Sequence, residues 1–197
     1  MNSEEQTKKY YTVKQNKPPS FLLKEAMGFV INKNKALDLG AGALQDSKFI
    51  LESGFRQVVI VDKSPLVKEY ANGLSGIDIQ ISHFEDFDFI PENFDLISAQ
   101  WSLPFCNPIH FNRAFKDIIG SLKTGAIFTG QLFGVNDEWN ANQMKKEQMT
   151  FHTKEEVYSI LNGLEIIKLI EKEEDSKTAL GVLKHWHVFH IIARKIN

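Results

Sequence analysis

Short, largely apolar segments alternate along this chain with segments of helical patterning. The predicted strands are residues 36–39, 58–61, 77–81, 94–99 and 126–133, and the predicted helices are about residues 44–52, 65–74, 111–122 and 154–161. Strands that are apolar at every position are typical of parallel sheets buried on both faces, and parallel neighbours need long, usually helical connections. The alternation therefore predicts an α/β protein whose mostly parallel sheet is covered by helices on both sides.

Two more predicted strands, residues 165–170 and 188–193, follow the last of these helices with no helix between them. They indicate an antiparallel hairpin at one end of the sheet, and the charged run 171–175 is interpreted as a solvated strand end. The predicted fold is thus a three-layer α/β/α sandwich with seven strands. We expect residues 20–197 to form this domain and residues 1–19, a polar segment, to act as a lid.

Two local patterns mark the beginnings of helices. Ser20 stands directly before the apolar segment that starts at Phe21 and is a residue type that caps helices. Thr153 and Glu156 have the spacing of a capping box. Both patterns support helices at these positions.

Composition limits the class of protein. The chain has 197 residues, enough for one domain with a full core, and 23 basic and 25 acidic residues give a formal charge of −2. This balance gives no electrostatic case for nucleic acid as a partner. We find no apolar segment long enough to span a membrane and no signal peptide at the N-terminus. Cys106 is the single cysteine, so an internal disulfide is excluded, a cytoplasmic location is the default, and a buried thiol is favoured over a nucleophile.

The first strand of the alternation runs into two glycines, Gly40 and Gly42, in the sequence LDLGAG. In an open parallel sheet, ligands bind beyond the carboxyl ends of the strands, and glycine there lets the backbone approach a ligand closely. A dinucleotide fingerprint would need a small residue at the position of Gln45, and no Gly-Lys-Ser/Thr follows. Neither a pyrophosphate nor a triphosphate is therefore the expected ligand.

Asp62 ends the second strand, and a carboxylate at this place accepts hydrogen bonds from the hydroxyls of a ribose. A glycine bend and a ribose carboxylate without a phosphate loop indicate a cofactor that contains a nucleoside but no phosphates, of which S-adenosylmethionine is the common example. The alternative is that Asp62 caps the helix that starts near Pro65, although Ser64 can supply that cap.

Four motifs in this order, LDLGAG, VVIVDKSP, FDLISAQW and the closing pair of strands, resemble the class I S-adenosylmethionine-dependent methyltransferases. The resemblance covers roughly residues 20–195 and, among subfamilies, extends to the tellurite-resistance and thiopurine type that methylates small molecules. It implies S-adenosylmethionine as cofactor, with the methionine part over the loop 38–42, the ribose on Asp62 and the adenine near Lys63 and Phe84. Many members have an aspartate where this chain has His83. The implied cofactor-binding residues are Asp38, Gly40, Ala41, Gly42, Asp62, Lys63, Phe84, Glu85, Gln100 and Trp101.

The acceptor site is expected on the loops at the same edge of the sheet. Amino-directed members of the family have prolines after the fourth strand that this chain lacks, so a nucleic-acid amine is not indicated as the acceptor. The candidate substrate residues are Tyr10, Tyr11, Phe105, Gln131, Phe133, Trp139 and His185, and plain packing stays open for each of them. No metal site is predicted, because His185 and His187 have no third and fourth ligand nearby.

The predicted function is transfer of a methyl group from S-adenosylmethionine to a small-molecule acceptor. No catalytic residue is assigned, because the methyl group is already activated on sulfur and the protein mainly positions the reactants. The alternatives are a methyltransferase acting on a protein or nucleic acid, and a non-catalytic cofactor-binding protein of the same fold. We expect a monomer or a homodimer without a membrane partner.

Overall fold

The computed structural model describes residues 3–196, which form one mixed sheet with helices on both faces. The strands are β1 (Lys35–Leu39), β2 (Gln57–Asp62), β3 (Ile77–Ile81), β4 (Phe94–Ala99), β5 (Leu122–Gly134), β6 (Phe151–His152), β7 (Leu164–Lys177) and β8 (Leu183–Lys195). The helices are α1 (Ser3–Lys14), α2 (Phe21–Met27), α3 (Gln45–Glu52), α4 (Val67–Ala71), α5 (Pro108–Ser121), α6 (Gln143–Lys146) and α7 (Lys154–Ile160).

The strand order is β3-β2-β1-β4-β5-β8-β7, with β6 paired to β5 outside this path. The first five strands are parallel to their neighbours, and β8 and β7 add to the sheet in antiparallel pairing. The predicted α/β fold with a C-terminal antiparallel hairpin is therefore confirmed. This topology brings the carboxyl ends of β1, β2 and β4 to one edge of the sheet.

Alternate residues of the strands supply two separate hydrophobic cores. On β1, Leu37 and Leu39 face a core that includes Phe115 of α5 and Val157 of α7. Ala36, one position earlier, faces the other core, which includes side chains of α2, α3 and α4. Because β1, β2 and β4 bury both of their faces, their apolar runs in the sequence are largely continuous rather than alternating.

The sheet differs from the prediction in two places. It contains eight strands rather than seven, because the two-residue strand β6 pairs with the end of β5. The charged run 171–175 belongs to β7, so its interpretation as a strand end was wrong. These side chains are exposed while their backbone pairs with β8 throughout the run, and an exposed charged strand gives no apolar signal.

Of the two sequence patterns that predict helix starts, one is confirmed as a cap and the other is not. The capping box of Thr153 and Glu156 is confirmed. Ser20 precedes α2, but its hydroxyl donates to Asp46 at 2.7 Å and makes no cap. The helix α1 lies in the segment for which only a polar lid was predicted. Within residues 3–196, no helix has the length and apolar character needed to cross a membrane.

Candidate active site

A bend formed by Gly40 and Gly42 follows β1, and both residues have positive φ, +72° and +53°. The Gly40 amide donates to the carbonyl oxygen of Val61 at 2.7 Å, which ties the bend to the end of β2. A Cβ placed on Gly40 would lie 2.4 Å from the Cβ of Ser102. Glycine at this position therefore lets the loops that follow β1 and β4 approach each other.

Asp62 lies at the end of β2 and is 7 % exposed. Its Oδ2 accepts a hydrogen bond from the amide of Gly42 at 2.9 Å, and its Oδ1 accepts one from the amide of Ser64 at 2.8 Å. The hydroxyl of Tyr11, which belongs to α1, donates to the same Oδ1 at 2.9 Å. The carboxylate thus lies beside the glycine bend, where the sequence places it, and it is already in contact with a hydroxyl.

Two further carboxyl groups, those of Asp38 and Asp46, are buried beside this bend. Burial, reinforced by the nearby charge of Asp46, raises the pKa of Asp38 to about 8. Burial also raises the pKa of Asp46, although the amide and hydroxyl of Ser20 oppose this effect. A cation bound beside these groups would stabilise their ionised forms, so their arrangement favours a positively charged ligand.

The turn after β4 holds Trp101 in a left-handed backbone conformation with φ +60°. Its amide donates to Oε1 of Gln131 at 2.8 Å, and Nε2 of Gln131 donates to Oε1 of Gln100 at 3.0 Å. Gln131 was predicted to contact the substrate, and in this structure it orients the turn that carries Trp101. Non-glycine residues in this conformation are strained and occur often at functional sites.

Trp101 also belongs to a group of packed rings at the ends of β4, β5 and β8, which we call the aromatic cluster. Its members are Trp101, Phe105, Phe133, Trp139 and Trp186. Ring centroids are 5.5 Å apart for Trp101 and Trp186 and 6.4 Å apart for Phe105 and Phe133. Phe105 is 48 % exposed, so the cluster is open to solvent at this ring.

A buried ion pair lies against the rings of the aromatic cluster. The ammonium group of Lys184 lies 2.5 Å from Oδ2 of Asp137, and both side chains are almost fully buried. The same ammonium group lies 3.6 Å from the ring centroid of Trp186 and 4.5 Å from that of Trp139. Burial lowers the pKa of Lys184, and the contact with Asp137 opposes this effect.

Several predicted site residues lie elsewhere or have other partners. Lys63 is exposed, and His185 lies between Asp175 and Glu173 on the hairpin of β7 and β8. Glu85 approaches the thiol of Cys106 at 3.9 Å, and burial, with the charge of Glu85, raises the pKa of that thiol to about 12. No group of three or more potential metal-ligating side chains was found among residues 3–196.

Phe84 lies beside the glycine bend. An atom of its ring lies 3.6 Å from the position that a Cβ of Gly40 would take. His83, one residue earlier, is exposed at the start of the short turn formed by Phe84–Asp86. Phe84 is therefore placed to border a ligand at the bend, whereas His83 is directed to the surface.

The structure adds site residues that sequence reasoning did not identify. Asp46, Ser102, Asp137, Lys184 and Trp186 all belong to the surroundings just described. Strand alternation places Trp186 on the opposite side of β8 from His185, but it does not say which of the two faces the aromatic cluster. The other four have no sequence signal that separates them from ordinary polar positions.

The space beside the glycine bend is small, with a volume of about 20 Å³. We call it the cleft, and its lining residues are Tyr10, Lys14, Ser20, Asp38, Gly40, Ala41, Gly42, Ala43, Gln45, Asp46, Gln100 and Trp101. Helix α1 contributes two of these side chains and covers the bend. A larger groove of about 410 Å³ lies between α5 and α7, away from the glycine bend.

Comparison with known proteins agrees with this geometry. The family described as "Methyltransferase domain" matches residues 37–129. An uncharacterized methyltransferase of Staphylococcus carnosus is 24 % identical over 152 residues, which are 76 % of this chain and 70 % of the relative. The chain therefore carries a methyltransferase domain over residues 37–129, which agrees with an S-adenosylmethionine-dependent methyltransferase.

Solved structures share the fold at low sequence identity. TehB from Haemophilus influenzae superposes with a TM-score of 0.72 at 17 % identity, covering 88 % of this chain and 61 % of TehB. A SAM-dependent methyltransferase from Methanosarcina mazei superposes with a TM-score of 0.69 at 19 % identity, covering 91 % of this chain and 99 % of that protein. These likenesses confirm the class I fold that the four sequence motifs predict.

The chemistry of the cleft fits S-adenosylmethionine, whereas its volume in this conformation does not. Buried carboxyl groups, a bend that only glycine can form and an unpartnered buried oxygen, Oε1 of Gln45, are suited to a cationic nucleoside ligand. A volume of about 20 Å³ has room for one water molecule and none for an adenosine. The cofactor therefore requires a conformation in which the cleft is wider.

Proposed function

We propose that this methyltransferase acts on a small molecule that binds against the aromatic cluster. One observation carries the proposal: Trp101 lines the cleft and at the same time packs against Phe133 and Trp186 of the cluster. A molecule lying on these rings would be next to a cofactor in the cleft. The ring of Phe105 is 48 % exposed, so a small molecule could reach the aromatic cluster from solvent at this ring.

The residues of the cleft would hold the cofactor by charge and by hydrogen bonding. Asp38 and Asp46 would face the positive end of the ligand, and Asp62 would accept hydrogen bonds from its ribose. When bound, S-adenosylmethionine supplies a methyl group that is already activated by the positive sulfur. The task left to the chain is to orient the acceptor on the aromatic rings and to exclude water.

A macromolecular acceptor is the second candidate, and the charge of the chain argues against it. The formal charge is −2, and a nucleic-acid substrate would favour a basic surface. We further propose that the protein works in the cytoplasm, where its single cysteine would remain a free thiol.

The proposed acceptor class can be tested with methyl-labelled cofactor and the full chain. Thiols, phenols, amines and metalloid oxyanions are offered in parallel with bulk RNA and denatured protein. We expect label on at least one small-molecule class and none on the polymers. Label on RNA or protein alone would show that the acceptor class is wrong.

Once an acceptor is found, Phe105→Ala tests the role of the aromatic cluster. We expect its KM for the acceptor to rise about fivefold to tenfold, because a contact between aromatic rings contributes on the order of 1 kcal/mol. The dissociation constant of the cofactor should stay unchanged. Ile109→Ala is the matched control, since Ile109 is an apolar residue nearby in sequence that is 86 % exposed.

A further inference from the structure

Tyr11 occupies the place at which the family binds the ribose of its cofactor. Its hydroxyl donates to Oδ1 of Asp62 at 2.9 Å, in a contact that is buried on both sides. The two oxygens of Asp62 also accept hydrogen bonds from Ser64 and Gly42. A ribose hydroxyl that approached Asp62 would therefore meet the hydroxyl of Tyr11 where its own hydrogen bond should form.

The ring of Tyr11 fills the space around this hydrogen bond. Tyr11 is 4 % exposed, and its ring packs edge-on against Tyr70 of α4 at a centroid distance of 5.6 Å. Tyr10 adds a second ring at 6.3 Å and lines the cleft itself. Tyr10 thus forms part of the wall of the cleft, and the ring of Tyr11 lies beside Gly42.

Helix α1 also brings a positive charge to the acidic cleft. Lys14, in the last turn of α1, lines the cleft, and its charge is one of the influences that lower the pKa of Asp46. A hydroxyl for Asp62 and an ammonium group near Asp46 are the two features that a cationic nucleoside would offer. Helix α1 therefore places at Asp62 and Asp46 the same kinds of groups that the cofactor would place there.

Tyr11 makes the buried contact of α1 with the domain, and Tyr10 and Lys14 lie beside it at the cleft. Among residues 4–14, Tyr11 is the one side chain that is buried. The helix has 12 residues, a length that is marginal for a helix without tertiary support. Residues 15–20, which include Pro18 and Pro19, connect it to α2 without helical structure, so α1 can leave as a unit when the contact of Tyr11 breaks.

We propose that α1 is a self-inhibitory latch, in which the Tyr11 hydroxyl competes with the cofactor ribose for Asp62 and must leave before the cofactor binds. The proposal rests on cofactor binding in this cleft and is independent of the acceptor. Because only open molecules bind the cofactor, the measured affinity equals the affinity of the open form multiplied by the fraction of molecules that are open. An interaction that releases α1 would then activate the enzyme.

The test is the dissociation constant of S-adenosylhomocysteine, measured by calorimetry on the full chain without any acceptor. Tyr11→Phe keeps the ring and its packing against Tyr70 but removes the hydroxyl that binds Asp62. We expect ligand binding to become about tenfold tighter, because a hydrogen bond that favours the closed form is lost. The same substitution should lower the melting temperature of the free protein.

The opposite directions of these two changes separate a latch from a merely structural residue. Thr12→Ala is the matched control, since Thr12 is exposed on the same helix and its hydroxyl bonds only within α1. Binding that weakens or stays equal in Tyr11→Phe would overturn the latch and indicate a lid that holds the cofactor. Failure of both proteins to bind would also overturn it, because something other than Tyr11 would then close the cleft. An incorrect acceptor class would leave all of these measurements unchanged.

Discussion

Gly40 and Ser102 lie in van der Waals contact across the carboxyl ends of β1 and β4. A Cβ on Gly40 would come within 2.4 Å of the Cβ of Ser102, and φ at Gly40 is +72°. Two independent constraints, space and backbone conformation, therefore demand glycine at this position. The contact joins the turn that carries Trp101 to the glycine bend after β1.

Gly40→Ala should damage both stability and cofactor binding. We expect a loss of at least about 2 kcal/mol in the free energy of unfolding, because strain at positive φ adds to the steric clash. Urea unfolding and the affinity for S-adenosylhomocysteine measure the two effects. Gly120→Ala is the control, since Gly120 lies in α5 with no heavy atom within 4 Å of its added Cβ. That variant should be as stable as the wild type or up to about 1 kcal/mol more stable, and equal losses in both variants would contradict the assignment.

The framework of the site could be predicted from sequence because it follows from burial and from strand order. Continuous apolar runs identify strands with two covered faces, and the carboxyl ends of parallel strands meet at one edge, so Gly42 and Asp62 had to lie close together. Their hydrogen bond of 2.9 Å is the direct result. The sequence alone therefore predicts that residues at such strand ends lie near each other.

What escaped prediction depends on contacts between distant segments. Helix α1 has no apolar stripe, and Tyr11, its one buried side chain among residues 4–14, meets Asp62 from 51 residues away. Trp186 rather than His185 faces the aromatic cluster because the register of the β7–β8 hairpin decides which face each residue takes. The charged part of β7 is held in the sheet by β8, and local propensity gives no sign of it.

The ion pair of Lys184 and Asp137 should be costly to break from one side. Lys184→Met leaves a buried carboxylate without a counter-charge, so we expect a loss of about 3–5 kcal/mol in unfolding free energy by urea titration. Adding Asp137→Asn should recover a large part of it, because the asparagine is neutral and can still cap the turn at Trp139. Lys154→Met is the control, since Lys154 pairs with Glu171 at the surface and its loss should change the unfolding free energy little. No recovery in the double variant would show that the charge of Asp137 is not the cause.

Asp38→Asn should separate the stability of the protein from cofactor binding. The pKa of Asp38 is about 8 in the folded protein and about 4 when unfolded, so the folded state binds more protons across this range. Its contribution to stability is therefore present below about pH 4 and decreases as the pH rises toward 8. Asparagine does not ionise, so the variant removes this decrease. Ser47 can still donate to the amide oxygen as it does to the carboxylate. We expect a melting temperature several degrees above that of the wild type at pH 8 together with cofactor binding at least tenfold weaker. Equal stability of the two proteins at pH 8 would contradict a buried charge at Asp38.

The affinity for S-adenosylhomocysteine should rise with pH between about 6 and 8. An ionised Asp38 would stabilise the ammonium group of the ligand, whereas in the free protein burial and the charge of Asp46 keep Asp38 mostly protonated below its pKa of about 8. Binding then releases a proton, so the dissociation constant should fall by up to about tenfold per pH unit well below pH 8 and level off above it. Calorimetry in two buffers with different ionisation enthalpies counts the released protons directly. Asp46 also lines the cleft and Asp62 lies beside the glycine bend, and Asp38→Asn distinguishes their contribution because it leaves both in place. If that variant keeps the full pH dependence, the titrating group is not Asp38, and the cation site would have to be assigned to Asp46.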